Sequence, residues 1–443
     1  MKNLKKTDRE IASLIVAERK RQEETLMMIP SENIASKSVE EAVGSCLGNK
    51  YAEGYAFRRY YQGQEFVDQV ETIAIERAKK LFGVPFVNVQ PYSGSPANTA
   101  VYFALIKPGD TIMGLSLAHG GHLTHGASVS LSGSYFKSVS YGLDKNGIID
   151  YKEVERLALL EKPKVIVAGV TAYPPLVNWK KFGEIADKVG AYLLADISHL
   201  SGLIASGVYP SPVPYVHIIM TTTHKTLRGP RGAMLMVTEK GLKKDPDLGK
   251  KINKAVFPGL QGGPHINSIA GIAVALKEAS SAKYKKYAQQ IINNAKKLGE
   301  VLKKNGFTLV SGGTDSHLLL VDLSNKGVIG NLAAEALEAA NITLNRNAVP
   351  FDANPPFYPS GMRLGTPGIT SRGMKEKEME KIGTWITEVV EDVARIKKEM
   401  GVEFAGEKQS SVRKEIIAKS KKIKEVKKMV IALCKKFPIK DQY

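Results

Sequence analysis

Two strand-like runs separated by a short, glycine-bounded bend constrain this chain more than any other feature. Val216-His217-Ile218-Ile219-Met220 is β-branched and apolar, and Gly232-Ala233-Met234-Leu235-Met236-Val237 is a second apolar run. Both read as buried strands. Between them lies Thr221-Thr222-Thr223-His224-Lys225-Thr226-Leu227-Arg228-Gly229-Pro230-Arg231-Gly232. One lysine is thus predicted in a tight turn, boxed by threonines, a histidine and glycines. Burial strips water from an ammonium and lowers its pKa, and Arg228 and Arg231 push the same way. A neutral lysine is a nucleophile that forms a Schiff base with a carbonyl. Taken alone, the residue reads more simply as a strand-end lysine reaching out to solvent.

Its company changes that reading. Ala191-Tyr192-Leu193-Leu194-Ala195-Asp196-Ile197-Ser198-His199 is a strand that delivers an aspartate at its carboxyl end, where ligands of open α/β sheets bind. An aspartate for a pyridinium nitrogen and a lysine for an aldehyde are the paired marks of a pyridoxal phosphate (PLP) site. Upstream, a helix over Tyr151 to Leu160, a strand over Lys164 to Val170 and a helix over Phe182 to Val189 set a β-α-β-α rhythm. That rhythm predicts a largely parallel sheet with helices on its faces.

Ser93-Gly94-Ser95-Pro96 opens a further helix, with Ser95 as the expected cap and Pro96 in the first turn. Small residues at a helix N-terminus let backbone N–H groups approach an anion, here the PLP phosphate. His119, His122 and His125 invite a metal reading, but no cysteine or carboxylate cluster accompanies them, and no metal is assigned.

With Asp-x-x-His ahead of it, the Thr-Thr-Thr-His-Lys-Thr-Leu-x-Gly-Pro-Arg-Gly stretch resembles serine hydroxymethyltransferase, a fold-type I PLP enzyme. The resemblance runs from about Met28 to about Gly373. It implies an α/β fold with a mostly parallel large-domain sheet, helices on both faces and a smaller α+β C-terminal domain. The expected division is a helical arm (1–30), a PLP-binding domain (31–280), a small domain (281–405) and a basic helical extension (406–443).

The resemblance also implies roles. Lys225 holds PLP, Asp196 its ring nitrogen, and His122 stacks on the ring. Ser93, Gly94 and Ser95 cradle the phosphate, Thr171 reaches the ring oxygen, and Thr222, His199, His224 and Arg231 surround the lysine. Ser31, Tyr51, Tyr61 and Arg363 hold the amino acid, Arg363 by a bidentate grip on its carboxylate. Glu53 is the general acid/base at the serine hydroxyl. Tyr60, Leu117, Gly121, Leu123 and Asn347, with Glu53, face a tetrahydropterin. Gly262 and Gly263 reach a neighbouring subunit's PLP, so the active sites are shared across a homodimer. The implied reaction moves a hydroxymethyl group between L-serine, giving glycine, and a tetrahydropterin. A pterin-independent 3-hydroxy amino acid (threonine) aldolase would use the same lysine, aspartate and arginine, and is the alternative. Tetrahydrofolate is the default carrier, but Tyr92, Arg228, the Met27-Met28-Ile29-Pro30 segment and the basic tail depart from bacterial relatives. Tetrahydromethanopterin stays open on that ground.

Bulk properties fit. A hydrophobic content of 43% supplies core material, and no apolar stretch approaches the roughly 20 residues of a membrane span. Two cysteines, Cys46 and Cys434, build no disulfide framework, which suits a reducing cytoplasm. The net charge of +19 is open to a nucleic acid, but a field steering an anionic substrate or cofactor inward accounts for it as well. Much of the excess lies in the C-terminal tail, and a nucleic acid is not the expected partner. Thr7 to Arg21 is expected to form an amphipathic helix with an apolar stripe of Ile11, Leu14, Ile15 and Leu26. A single long helix is expected from about Ile272 to Lys304. In the tail, Ile416, Ile423, Val426, Val430 and Leu433 keep a helical stripe, expected to pack on the small domain, while lysines crowd the other faces. RNA, an acidic partner or a membrane surface stay open for that charged side.

Overall fold

The structure, a computed structural model, describes residues 2–439. They divide into two compact units, one of 33–292 with 314–317, the other of 2–32, 293–313 and 318–439.

The first unit is built on seven strands: β1 (Phe86–Asn88), β2 (Thr111–Leu115), β3 (Lys137–Tyr141), β4 (Val165–Gly169), β5 (Tyr192–Asp196), β6 (Ile218–Thr222) and β7 (Ala233–Val237). Their order is β1-β7-β6-β5-β4-β2-β3. All run parallel except β7, which is antiparallel to both β1 and β6. Every residue of β4, β6 and β7 is buried, as expected of strands covered on both faces. Successive side chains point to opposite sides. Ile166, Leu193, Ile219 and Met234 enter one apolar layer, while Val167, Leu194, Ile218 and Leu235 enter the other. Helix Gly94–Leu105 packs on the second layer through Ala97, Val101 and Tyr102, and helices Glu65–Phe82, Trp179–Val189 and Ile266–Ala279 on the first.

The second unit holds a four-stranded antiparallel sheet of β8 (Thr308–Leu309), β9 (Leu318–Asp322), β10 (Asn345–Asn347) and β11 (Gly361–Gly365), ordered β8-β9-β11-β10. Helices Gly330–Ala339 and Glu376–Glu399 bury their apolar faces in its core. The tail helices Ser410–Lys419 and Lys421–Lys436 add Ile416, Ile423, Val426, Val430 and Leu433 to the same core. The expected tail stripe is therefore a packing face.

Three expectations need correcting. Leu26, expected on the N-terminal apolar stripe, belongs to a short strand instead, whereas Ile11, Leu14 and Ile15 lie on helix Arg9–Glu23 as expected, 47%, 60% and 40% exposed. The expected long helix is two, Ile266–Ala279 and Ala282–Lys304, interrupted at Ser280-Ser281. Serine hydroxyls compete for backbone groups and favour helix ends: Ser280 donates to the Lys277 carbonyl, and Ser281 accepts from the Tyr284 N–H. Finally, the cap of helix Gly94–Leu105 is Ser93, so Ser95 sits inside the first turn. Pro96 is tolerated there because first-turn N–H groups have no helical partner.

Candidate active site

The carboxyl ends of the parallel strands converge on one cavity of about 250 Å³. β1 leads to Ser93 and Gly94, β2 through the 117–119 turn to His122, and β4 to Thr171. Asp196 closes β5, and Thr222 closes β6 ahead of His224 and Lys225. All of these, with Ser95, His199 and Arg231, line the cavity. Lys225 and Asp196, predicted to share a site, face the same space.

The lysine's turn is stitched at several points. The Gly229 N–H donates to the Thr223 carbonyl (2.7 Å), and the Thr223 hydroxyl to the Pro230 carbonyl (2.6 Å). The Lys225 carbonyl accepts from the Arg228 N–H (3.0 Å) and the Asn33 amide (3.0 Å). The Thr226 hydroxyl donates to the His199 carbonyl at 2.9 Å. Lys225 is 9% exposed, so its side chain is held on a rigid bend. Arg228 points elsewhere: its Nε donates to the Ile34 carbonyl and its guanidinium covers Tyr287.

Asp196 is surrounded by donors that sequence reasoning missed. Oδ1 accepts from the Ser198 N–H (3.1 Å) and hydroxyl (2.6 Å), and Oδ2 from Asn98 Nδ2 (3.0 Å) and His125 Nε2 (3.0 Å). Because His125 Nδ1 accepts from the His122 N–H, Nε2 carries the ring proton and donates to the carboxylate. Burial opposes ionisation, but the hydrogen bond from His125, its proximity and that of His122, and the Ser198 hydroxyl outweigh it. They hold the carboxyl well below the usual carboxylate range. The Ser198 hydroxyl also accepts from the Thr222 N–H, tying the acid to the strand that carries the lysine. The only sequence hint of this shell was the histidine run containing His125.

His122 is oriented by Thr124, whose N–H donates to Nδ1 (3.2 Å) and whose hydroxyl lies 2.8 Å away. Burial pushes its pKa down to about 4, that of His224 down to about 3, and that of His217 down to about 4. A depressed histidine pKa means that the unfolded chain binds more protons between the two values, so stability rises with pH across that window. The contribution is complete above about pH 6.5 and is lost as pH falls toward 4. The melting temperature is expected to be flat between pH 7 and 8 and to drop on acidification to pH 5, with a smaller drop in His217→Asn, as thermal scans would record.

The residues present fit PLP. Among the described residues, the Thr222 hydroxyl and His224 Nδ1 are buried at the cavity with no hydrogen-bond partner, a state that proteins rarely leave unsatisfied. A Cβ on Gly94 would come 2.7 Å from Thr222 Cγ2, so only glycine leaves this wall open beside the helix N-terminus. Ser93 makes no cap bond to its own helix. The Thr171 hydroxyl donates to the Gly121 carbonyl at 2.9 Å.

A second group of predicted residues gathers elsewhere on the same unit, outside the cavity lining. The Tyr51 hydroxyl donates to Glu53 Oε1 (3.2 Å), and Tyr51 and Tyr61 meet edge-to-face at 5.2 Å. A Cβ on Gly262 would lie 3.2 Å from Glu53 Oε1, and one on Gly263 3.1 Å from the Tyr51 ring. Tyr92 stacks on His265 at 4.2 Å and donates to the Gly263 carbonyl. Arg59, also missed in the sequence, holds Glu53 in place: Nη1 donates to the carbonyls on either side, Ala52 (2.8 Å) and Gly54 (2.9 Å), while Nε and Nη2 pair with Asp68 and Glu71. Tyr60 (70% exposed) packs on Phe257. Leu117 and Leu123 are exposed on either side of the turn that holds buried Gly121.

Ser31, Asn347 and Arg363 belong to the other unit. Ser31 lies in the turn after Pro30, and Asn347 Nδ2 donates to the Ala348 carbonyl. Arg363, on β11, donates from Nε to Asn345 Oδ1 at 3.1 Å. Burial pushes its guanidinium down to about 10, so it stays charged at neutral pH.

A family model for serine hydroxymethyltransferase matches residues 4–386. The chain belongs to the serine hydroxymethyltransferase family. It is 59% identical over 390 residues to a serine hydroxymethyltransferase of Acidothermus cellulolyticus and 56% identical over 390 residues to one of Desulfotalea psychrophila. Each match spans 88% of this chain and 90% of the relative. The family's fold type and the doubly covered, mostly parallel sheet agree with the α/β architecture expected from the sequence. Among the described residues no helix is long and apolar enough to cross a membrane.

Proposed function

We propose that this chain carries out the serine hydroxymethyltransferase reaction at the Lys225 cavity, moving a one-carbon unit reversibly between L-serine and a tetrahydropterin and releasing glycine. The observation that carries the assignment is the convergence of Lys225 and a fully hydrogen-bonded, anionic Asp196 on one space. Bound PLP supplies an electron-accepting ring that stabilises the charge left when the Cα–Cβ bond of serine breaks. Asp196, anionic because four donors satisfy it, would hold a proton on the ring nitrogen of bound PLP. Lys225 provides the amine, and Ser93 and the backbone at Gly94 receive the phosphate. His122, neutral at working pH, gives the ring an uncharged face to stack on. Motif alone assigns the substrate carboxylate to Arg363 and Ser31. A folate-type carrier is the family's; tetrahydrofolate itself is our assignment, and motif alone assigns Tyr60, Leu117, Leu123 and Asn347 to it. Turnover with tetrahydrofolate but not tetrahydromethanopterin is the expected result, and the reverse preference would overturn the assignment. Serine cleavage at full rate without any carrier would favour the aldolase.

The Tyr51–Glu53–Gly262 patch acts, in this reading, on a second copy of the chain: Glu53 handles the serine hydroxyl proton there, and the two glycines approach that copy's phosphate. The exposure of Tyr51, Phe57, Tyr60 and Tyr61 supports a covered surface. Lys225→Ala and Glu53→Ala, each inactive alone, are then expected to regain activity when unfolded and refolded together, because mixed dimers contain one site with both residues native. No recovery from mixed dimers isolated by differential tags would refute the sharing of sites.

A further inference from the structure

The chain's last helices lie outside the matched family region, which ends at residue 386. From residue 406 onward the sequence has twelve basic residues against four acidic ones. Helix Lys421–Lys436 buries Ile423, Val426, Val430, Leu433 and Cys434 along one side. At 100° per residue, Lys421, Lys424, Lys428 and Lys435 fall within a narrow stripe on the opposite side, flanked by Lys427 and Lys436. All six are exposed. None forms an ion pair among the described residues, and the helix's one acid, Glu425, is engaged by Lys422. The stripe runs about 21 Å, at about 1.5 Å per residue.

We propose that this stripe docks the phosphate backbone of a nucleic acid. A line of like charges with no enclosing pocket suits a long repeating polyanion rather than a small anion. Insertion into a membrane needs a free apolar face, and here that face is spent on the core of its own unit. The stripe offers ammonium groups, which act as point charges on phosphates, and no arginine fork or exposed aromatic ring for reading bases. Binding is therefore sequence-independent and strongly salt-dependent.

Fluorescence anisotropy of the PLP-loaded full chain with a labelled 24-nucleotide single-stranded RNA and a 24-base-pair DNA duplex tests this. The quadruple variant K421E/K424E/K428E/K435E is expected to bind at least tenfold more weakly at about 100 mM salt. Its slope of log affinity against log salt should be shallower by about 3, as for the loss of roughly four phosphate contacts. Serine turnover and the melting temperature should match the parent, since none of these residues belongs to the active site. The milder K421Q/K424Q/K428Q/K435Q set should weaken binding in the same direction. A control reversing exposed Lys145, Lys152, Lys180 and Lys243 should change affinity less than twofold. An equal loss in the control would mean that net charge alone is responsible, and would overturn the proposal. So would unchanged binding in the quadruple variants, or stripe-dependent binding to phosphatidylserine vesicles with no affinity for either nucleic acid. The RNA and DNA arms identify which backbone is preferred.

Discussion

Lys225→Arg is expected to lower serine turnover by at least about a thousandfold, the scale on which enzymes lose rate when a covalent nucleophile is removed. The charge survives the substitution, but a guanidinium stays protonated at any working pH and cannot supply a neutral amine. The fold should persist. The bend is held by backbone and threonine hydrogen bonds that do not involve the lysine side chain, from Gly229 to Thr223, Thr223 to Pro230, and Thr226 to His199. Steady-state rates together with a parent-like circular dichroism spectrum check this. Near-parental turnover would remove Lys225 from the chemistry.

Asp196→Asn is expected to cost about a hundredfold in turnover. The loss of a charge-assisted hydrogen bond is worth about 1.5–3 kcal/mol, and about 1.4 kcal/mol is a factor of ten. The substitution also conflicts with its surroundings. Asn98, His125 and the Ser198 N–H and hydroxyl all donate toward the present carboxylate, so an amide NH₂ would face a donor. The variant should therefore bind PLP more weakly as well as turn over slowly. Stopped-flow binding and single-turnover rates separate the two effects. A variant with normal PLP affinity and normal rate would show that the aspartate does not touch the ring nitrogen.

The sheet and the placing of Lys225 and Asp196 at one cavity were legible because parallel strands buried on both faces leave near-continuous apolar runs. Ile218 to Met220 and Tyr192 to Ala195 lead into the residues that line the cavity, and strand ends are where such sheets bind ligands. The shell around Asp196 was not legible. Asn98 and His125 reach it from positions 98 and 71 residues away in the chain, and no local pattern encodes that meeting. Arg59 was hidden for a related reason: its value lies in gripping two backbone carbonyls beside Glu53. The Ile11–Leu14–Ile15 stripe shows a different limit. Periodicity identifies an apolar face but not what covers it, and in this chain the face is exposed.

The most direct measurement of the central claim is covalent. The PLP-loaded protein would be reduced with borohydride, digested, and the modified peptide identified by mass spectrometry. A single modified site at Lys225, absent from Lys225→Arg, is the predicted result. Modification at another lysine, or none at all, would contradict the assignment of this cavity as the PLP site.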